Sequence, residues 1–220
     1  MHVLQVTPRY PPSMGGVEVV VQKISELLTA RGVDVTVYSV DAGKGLNREQ
    51  IVNGVLVKRF TPLVGDPLFF PEPRFISCLW REKVDIIHAH NIHILPPFLV
   101  AAFKHKKQKL VLQPHYHRFG QSPARHALLE LYKRVINRLV LPRTDIVVAN
   151  SAYEKAILKE DFLACKNTVL VPEGIDVSKI KHVKYAPAKP KRILYVGALK
   201  PYKNVDKIIG GFAKLIKDGS

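Results

Sequence analysis

Cysteine is scarce in this 220-residue chain: Cys78 and Cys165 are its only two. They are too few and too unpatterned for a disulfide framework or a cysteine metal knuckle, and both read as reduced core thiols. No apolar run approaches the ~20 residues that a bilayer-crossing helix needs. The chain begins on a strand-like segment rather than a leader, which predicts a cytoplasmic protein. Acidic residues are also few: 18 Asp and Glu stand against 34 Lys and Arg, a formal net charge of +16. That excess favours an anionic partner (a nucleotide, a phosphorylated substrate, an acidic membrane or nucleic acid), while a merely lysine-rich surface would show the same sign. Repeats and low-complexity tracts are missing as well.

What is present alternates. Apolar runs predict strands at 2–7, 33–40, 84–89, 109–113, 144–149, 168–172 and 192–196, with a hairpin over 50–60 turning on Asn53-Gly54. Apolar residues at helical spacing fall at 17–31, 74–82, 94–105, 124–141, 151–160 and 204–217. Strand centres such as Asp85-Ile-Ile-His88 and Asp145-Ile-Val-Val-Ala149 are continuously apolar, as parallel strands covered on both faces must be. The alternation predicts an α/β fold: a Rossmann-like, doubly wound, mostly parallel sheet with its sites at the carboxyl ends of the strands. Composition shifts at Lys181–Arg192, where two prolines among lysines read as a linker. The expected division is one domain over 1–180, a linker over 181–192 and a second Rossmann-like domain only begun over 193–220. One strand and one helix cannot bury a core, which favours a truncated second domain.

The loop after the first strand is Pro8-Arg-Tyr-Pro-Pro-Ser-Met-Gly-Gly-Val-Glu18, and helical spacing of Val17, Val20, Val21, Ile24, Leu27 and Leu28 follows it. Gly15-Gly16 at a helix start leaves bare amides at the positive end of the helix dipole, a site for an anionic group. Read blandly, the pair is a turn that lets helix and strand pack closely. Other strand ends carry His88-Ala-His90-Asn91, Gln113-Pro-His115-Tyr-His117, Asn150-Ser151-Ala-Tyr-Glu154, Val171-Pro-Glu-Gly-Ile-Asp176 and Val196-Gly-Ala-Leu-Lys-Pro-Tyr-Lys-Asn204.

In this order the set resembles the family 4 retaining glycosyltransferases of the GT-B fold. Their pattern is a proline-rich Gly-Gly-x-Glu loop, Asp-x-x-His-x-His, a strand-end His, Ser-x-x-x-Lys, a Pro-Asn-Gly-x-Asp turn and Val-Gly-Arg-x-x-x-x-Lys-Asn/Gly. The resemblance covers the whole chain. It implies two facing Rossmann-like domains, the first holding the acceptor and the second a nucleotide-diphosphate sugar, with no metal or other cofactor. Gly15, Gly16 and Lys203 would meet the donor diphosphate, and His115 would stand beside the reacting sugar as the catalytic candidate. Acceptor-side candidates at the strand ends are Tyr10, Asn91, Tyr116, Ser151 and Glu173. The acceptor class stays open among a glycan, a sugar phosphate and a lipid-linked sugar; the segment Gly65–Phe75 falls where acceptor loops vary, or simply covers the core edge. Same-face attack with retention needs no carboxylate pair at glycosidase spacing, and none stands out.

Three departures qualify the resemblance. Ala198 replaces the usual arginine, with Lys200 as a weaker substitute. Glu173 replaces the usual asparagine of the turn. The Glu-x7-Glu segment that contacts the donor sugar lies beyond Ser220, so the chain alone is expected to be inactive in transfer. Two other functions compete. His88, His90, His93, His115 and His117 form two His-x-His pairs that would suit a zinc hydrolase, although carboxylate ligands are few and such residues serve more often as hydrogen-bonded structure. His88 is expected to pack under the sheet edge. The helix at 124–141 carries Arg125, Lys133, Arg134 and Arg138, followed by Arg143. It reads as a solvated basic face or as peripheral contact with an anionic membrane. It lacks the interleaved aromatics of a single-strand nucleic-acid binder.

Overall fold

The computed structural model describes residues 1–43, 45–118, 123–175, 177, 192–197, 199 and 203–217, the side chains of 123–125, 128 and 129 excepted. The chain separates into two compact units, Met1–Glu173 and Gly174–Ser220.

The first unit is built on one sheet. In chain order its strands and helices are β1 (His2–Thr7), α1 (Gly16–Thr29), β2 (Asp34–Ser39), β3 (Glu49–Val52), β4 (Val55–Arg59), β5 (Pro62–Val64), β6 (Phe70–Pro71), α2 (Arg74–Arg81), β7 (Ile86–His90), α3 (Leu95–Phe103), β8 (Lys109–Gln113), α4 (Pro123–Val135), β9 (Ile146–Ala149), α5 (Ala152–Asp161) and β10 (Thr168–Leu170). Eight strands run in the order β10-β9-β8-β7-β1-β2-β4-β3, while β5 and β6 pair separately. All neighbours in the large sheet are parallel except β3 with β4, the hairpin read from Asn53-Gly54. Its two turn residues have φ of 50° and 82°, the left-handed pair that a primed two-residue turn requires.

β1 stands between β2 and β7. The chain leaves β1 toward one edge and later returns to β7 on the other side, so the strand order reverses there. That reversal opens a crevice at the carboxyl ends of β1 and β7, where doubly wound sheets hold ligands.

Alternation along the strands feeds two cores. Leu4, Val6, Ile87, Ala89, Leu110, Leu112, Val147 and Ala149 join the larger cluster. Tyr38, Phe60 and Phe75 complete it with ring centroids 4.9–5.7 Å apart. Val35, Val37, Val55 and Val57 meet Val21 and Tyr10 in the second. Two covered faces explain why the strands read as apolar runs rather than as alternation. Trp80, the only tryptophan, is 56% exposed at the end of α2. Its indole donates to the Phe103 carbonyl at 3.1 Å, beside the amino ends of β7 and β8.

Two expectations need correction, and one strand pair was not foreseen. The helix predicted over 124–141 is continuous only to Val135; a π-turn over Ile136–Val140 and a 3-10 turn over Leu141–Arg143 follow. Pro142 supplies no amide to the ladder. Side chains take up the terminal carbonyls instead, Arg143 bonding Leu139 O at 3.1 Å and Thr144 bonding Val140 O at 3.0 Å. The short β5–β6 pair lay below the reach of pattern, since Pro62 and Pro71 punctuate it. In the second unit, residues 192–196 form no strand: Ile193, Leu194 and Val196 are 65–85% exposed, and a strand needs a hydrogen-bonded neighbour. The helix predicted there does form, as α6 (Val205–Lys217). Residues 181–191 of the expected linker lie outside the described residues. Among the described residues no helix is long and apolar enough to cross a membrane.

Candidate functional site

The glycine loop meets α1 at the switch point. Gly15 is the N-cap, in extended backbone with φ −172°, and the first intrahelical bond is Val19 N to Gly15 O at 3.1 Å. The amides of Gly16, Val17 and Glu18 therefore have no acceptor within the helix. Glu18 is 7% exposed and turns back over this end. A Cβ placed on Gly15 would lie 2.2 Å from its Oε2, whereas one on Gly16 would meet nothing within 4 Å. Arg9 Nη1 stands 4.0 Å from Glu18 Oε1. A carboxylate of the chain itself thus occupies the positive helix end, with open space beside Gly16. The acid three residues after the N-cap was the available signal for this, and the sequence reading did not use it.

Across the crevice lies a network of imidazoles and amides. His90 Nε2 donates to Gln5 Oε1 at 2.8 Å, a bond from β7 to β1. His88 lies tilted against His90 with ring centroids 4.2 Å apart, and His115 stacks on His90 at 5.8 Å. β7 is a central strand, so His88 sits within the sheet rather than under its edge. Gln113 Nε2 donates to Asn150 Oδ1 at 2.7 Å, which fixes that amide, and Asn150 Nδ2 then donates to His115 Nδ1 at 3.1 Å. The His115 proton is assigned by this network to Nε2. Nε2 is buried and has no hydrogen-bond partner among the described residues.

Burial sets the charge of these rings. Loss of solvent pushes His115 down to about 4 and His88, with added repulsion from His115, also to about 4. Desolvation takes His93 to about 3, aided by His117, and His90 well below its ordinary value. All four are neutral imidazoles at neutral pH. Asn91 and His115 also hold left-handed backbone, with φ of 68° and 47°. Such strain at two adjacent strand ends persists only where surrounding bonds enforce it. Asn91 N donates to Gln113 O and His93 N to Asn91 Oδ1, both at 3.0 Å.

The remaining candidates divide. Glu173 Oε1 is 3.6 Å from His115 Nδ1, too long for a hydrogen bond, and burial with the nearby Glu154 raises its pKa. Ser151 caps α5, accepting Glu154 N at 3.0 Å. Tyr116 is 6% exposed, its amide bonded to Glu154 at 2.6 Å and its hydroxyl to Asp161 at 2.5 Å. Tyr10 is fully buried in the second core. Neither ring is open to an acceptor here, because each completes a core cluster. Lys203 belongs to the second unit, just before Asn204, whose φ is 53°, and α6. Glu154 is a residue the sequence reading passed over: buried, it accepts Tyr116 N and Asn150 N, tying the β8 and β9 ends to α5. Its signal was the capping box Ser151-Ala-Tyr-Glu154. The hydrolase alternative finds no support: among the described residues no three His, Cys, Asp or Glu side chains are grouped to hold a metal ion.

The chain and its fold are similar to known proteins. A profile of Glycosyltransferase Family 4 matches residues 14–179, well over half of the chain. An uncharacterized glycosyltransferase of Methanocaldococcus jannaschii is 25% identical over 95% of this chain, which spans 58% of that protein. Among solved structures, sucrose-phosphate synthase from Thermosynechococcus elongatus superposes with a TM-score of 0.60 at 15% identity, over 80% of this chain and 49% of that one. HepE from Anabaena, in complex with UDP and glucose, gives 0.59 at 18% identity over 81% and 46%; HepE has also been solved with UDP-glucose. The chain thus spans about half the length of these relatives. The sheet order, the helix-terminal glycines and the family profile converge on one assignment: this chain belongs to glycosyltransferase family 4, and its first unit has the Rossmann-like α/β architecture of a GT-B enzyme.

Proposed function

We propose that the chain is the acceptor-side part of an enzyme that moves a sugar, with retention, from a nucleotide-diphosphate sugar to a glycan, a sugar phosphate or a lipid-linked acceptor. One observation carries this: a neutral His115 whose Nδ1 is already engaged by Asn150 and whose buried Nε2–H is left to donate. A neutral donor at that position suits a sugar hydroxyl or carbonyl oxygen better than a phosphate, and it needs no metal. Gly15 and Gly16 would receive the diphosphate at the α1 terminus once the Glu18 carboxylate moves aside, and Lys203 would add a cation as the leaving group gains charge. Same-face attack lets the departing phosphate oxygen take the acceptor proton, so no carboxylate nucleophile is required. UDP-glucose is the first donor to try, because HepE has been solved with it.

Since the chain spans about half the length of its relatives, transfer is assigned to a protein of their full length. Offered a panel of nucleotide-sugars with sugar, sugar-phosphate and lipid-linked acceptors, that protein should release nucleoside diphosphate and form a glycoside with retained configuration, with or without chelator. Loss of all turnover in chelator, or no consumption of any nucleotide-sugar, refutes the proposal. There Lys203→Ala should lower kcat/KM on the order of a hundredfold, about 3 kcal/mol of transition-state stabilisation.

A further inference from the structure

Arg59 is the largest fully buried side chain among the described residues. It closes β4, and its Nη1 reaches both Asp41 oxygens, at 2.9 and 3.0 Å. Asp41 also accepts Ser39 Oγ at 2.7 Å and the Tyr10 amide at 2.9 Å. The second guanidinium nitrogen donates to the Pro11 carbonyl. A buried ion pair is poor value as stability alone, because apolar residues of like volume commonly serve as well. Its location supplies the reason. The loop from Pro8 to Gly16 contains three prolines, Pro8, Pro11 and Pro12, which have no amide to give. A segment so short of donors cannot hold itself by ladder bonds; its carbonyls need an outside donor and its few amides an outside acceptor. Arg59 is that donor, to the Pro11 carbonyl, and Asp41 that acceptor, from the Tyr10 amide, so the two grip the same Tyr10-Pro11 step. Val40 N to Pro8 O, at 3.1 Å, pins the start of the loop to the same strand end.

We propose that Arg59 and Asp41 are positioning residues for the glycine loop: the buried pair fixes the course of residues 8–14 and thereby presents the Gly15-Gly16 amides to an anionic diphosphate. The second half of this statement rests on the diphosphate role argued above; the first half does not. Both residues act through the loop.

The test uses the 220-residue chain, with amide hydrogen exchange and an NMR titration of inorganic pyrophosphate. Arg59→Met alone strands a buried carboxylate at a cost that threatens folding, so the informative variant is Arg59→Met with Asp41→Asn, which removes both charges while an amide oxygen stays for Tyr10. In wild type, pyrophosphate should shift the Gly15 and Gly16 amides. In the double variant, amides between Arg9 and Glu18 should exchange at least tenfold faster while those of β1 and β7 are unchanged, and the pyrophosphate dissociation constant should rise at least tenfold. Arg59→Lys should recover loop protection only in part, since an ammonium cannot bridge Asp41 and Pro11 together. Loop exchange within twofold of wild type overturns the positioning role, and so does a loosened loop with undiminished pyrophosphate affinity. If wild type shows no response to pyrophosphate, the diphosphate role fails, and the exchange experiment still decides whether the pair sets the loop.

Discussion

Single residues in the crevice govern how the first unit responds to acid. His88 and His115 are held down to about 4, His93 to about 3 and His90 well below the usual value, chiefly by burial. In the unfolded chain each ring takes a proton near 6.5. Between that value and about 4 the unfolded state binds protons that the native state refuses, so stability is full above pH 6.5 and drains as pH falls. At pH 5 each such ring costs about 2 kcal/mol. Thermal melts at pH 7.5 and pH 5 should show a marked fall in Tm, and an unchanged Tm would mean that the rings are solvated. The two glycines, alike in sequence, should behave differently. Gly15→Ala drives a methyl into Glu18 Oε2, so the carboxylate must leave the helix end, at about 1 kcal/mol. Gly16→Ala meets open space in a helical position and should be neutral or stabilising by up to about 1 kcal/mol. Denaturant melts of both variants check the contrast, and the Gly15 penalty should shrink in a Glu18→Ala background.

Elements differ in how plainly the sequence announced them. The parallel strands, the Asn53-Gly54 hairpin and the helix after Gly15-Gly16 follow from local rules, namely apolar runs and a turn that needs left-handed backbone. The π-turn after Val135 does not, because it depends on where Pro142 interrupts the amide ladder and on the Arg143 and Thr144 side chains bonding the Leu139 and Val140 carbonyls. Nor does the Arg59–Asp41 pair: an arginine closing a strand reads as solvent-facing until the loop packed above it is known. Among site residues, the His115 position was legible as a strand end, whereas its tautomer rests on Gln113 and Asn150 from two other segments. Tyr10 and Tyr116, acceptor-side candidates by the resemblance, lie buried in the two core clusters, a placement set by tertiary packing. Glu154 shows how one acid can join elements. Glu154→Ala would leave the buried amides of Tyr116 and Asn150 without their acceptor, each worth about 1–3 kcal/mol. The expected result is a loss on the order of 3 kcal/mol in denaturant melts; a loss below about 1 kcal/mol would mean that water replaces the carboxylate.

At the scale of the whole molecule, the two units are unequally built. The first encloses both cores. In the second, Ile208, Ile209, Phe212, Leu215 and Ile216 of α6 are 42–65% exposed, and a 13-residue helix is marginal without a packed apolar face. In this chain the α6 amides should exchange about a hundredfold faster than those of β1, and limited proteolysis should cut first beyond Glu173. Equal protection in the two would show that the apolar stripe is covered. The lone indole has a practical consequence. Trp80 sits at the amino ends of β7 and β8, packed on Phe103, at the opposite end of those strands from His90 and His115. Intrinsic tryptophan emission is therefore a one-chromophore signal of the α2–α3 layer, and its red shift follows unfolding of the first unit. Nucleotide added at the crevice should leave the emission maximum unmoved once absorbance is corrected, so an optical binding assay for this protein needs a dye or a second tryptophan placed near the glycine loop.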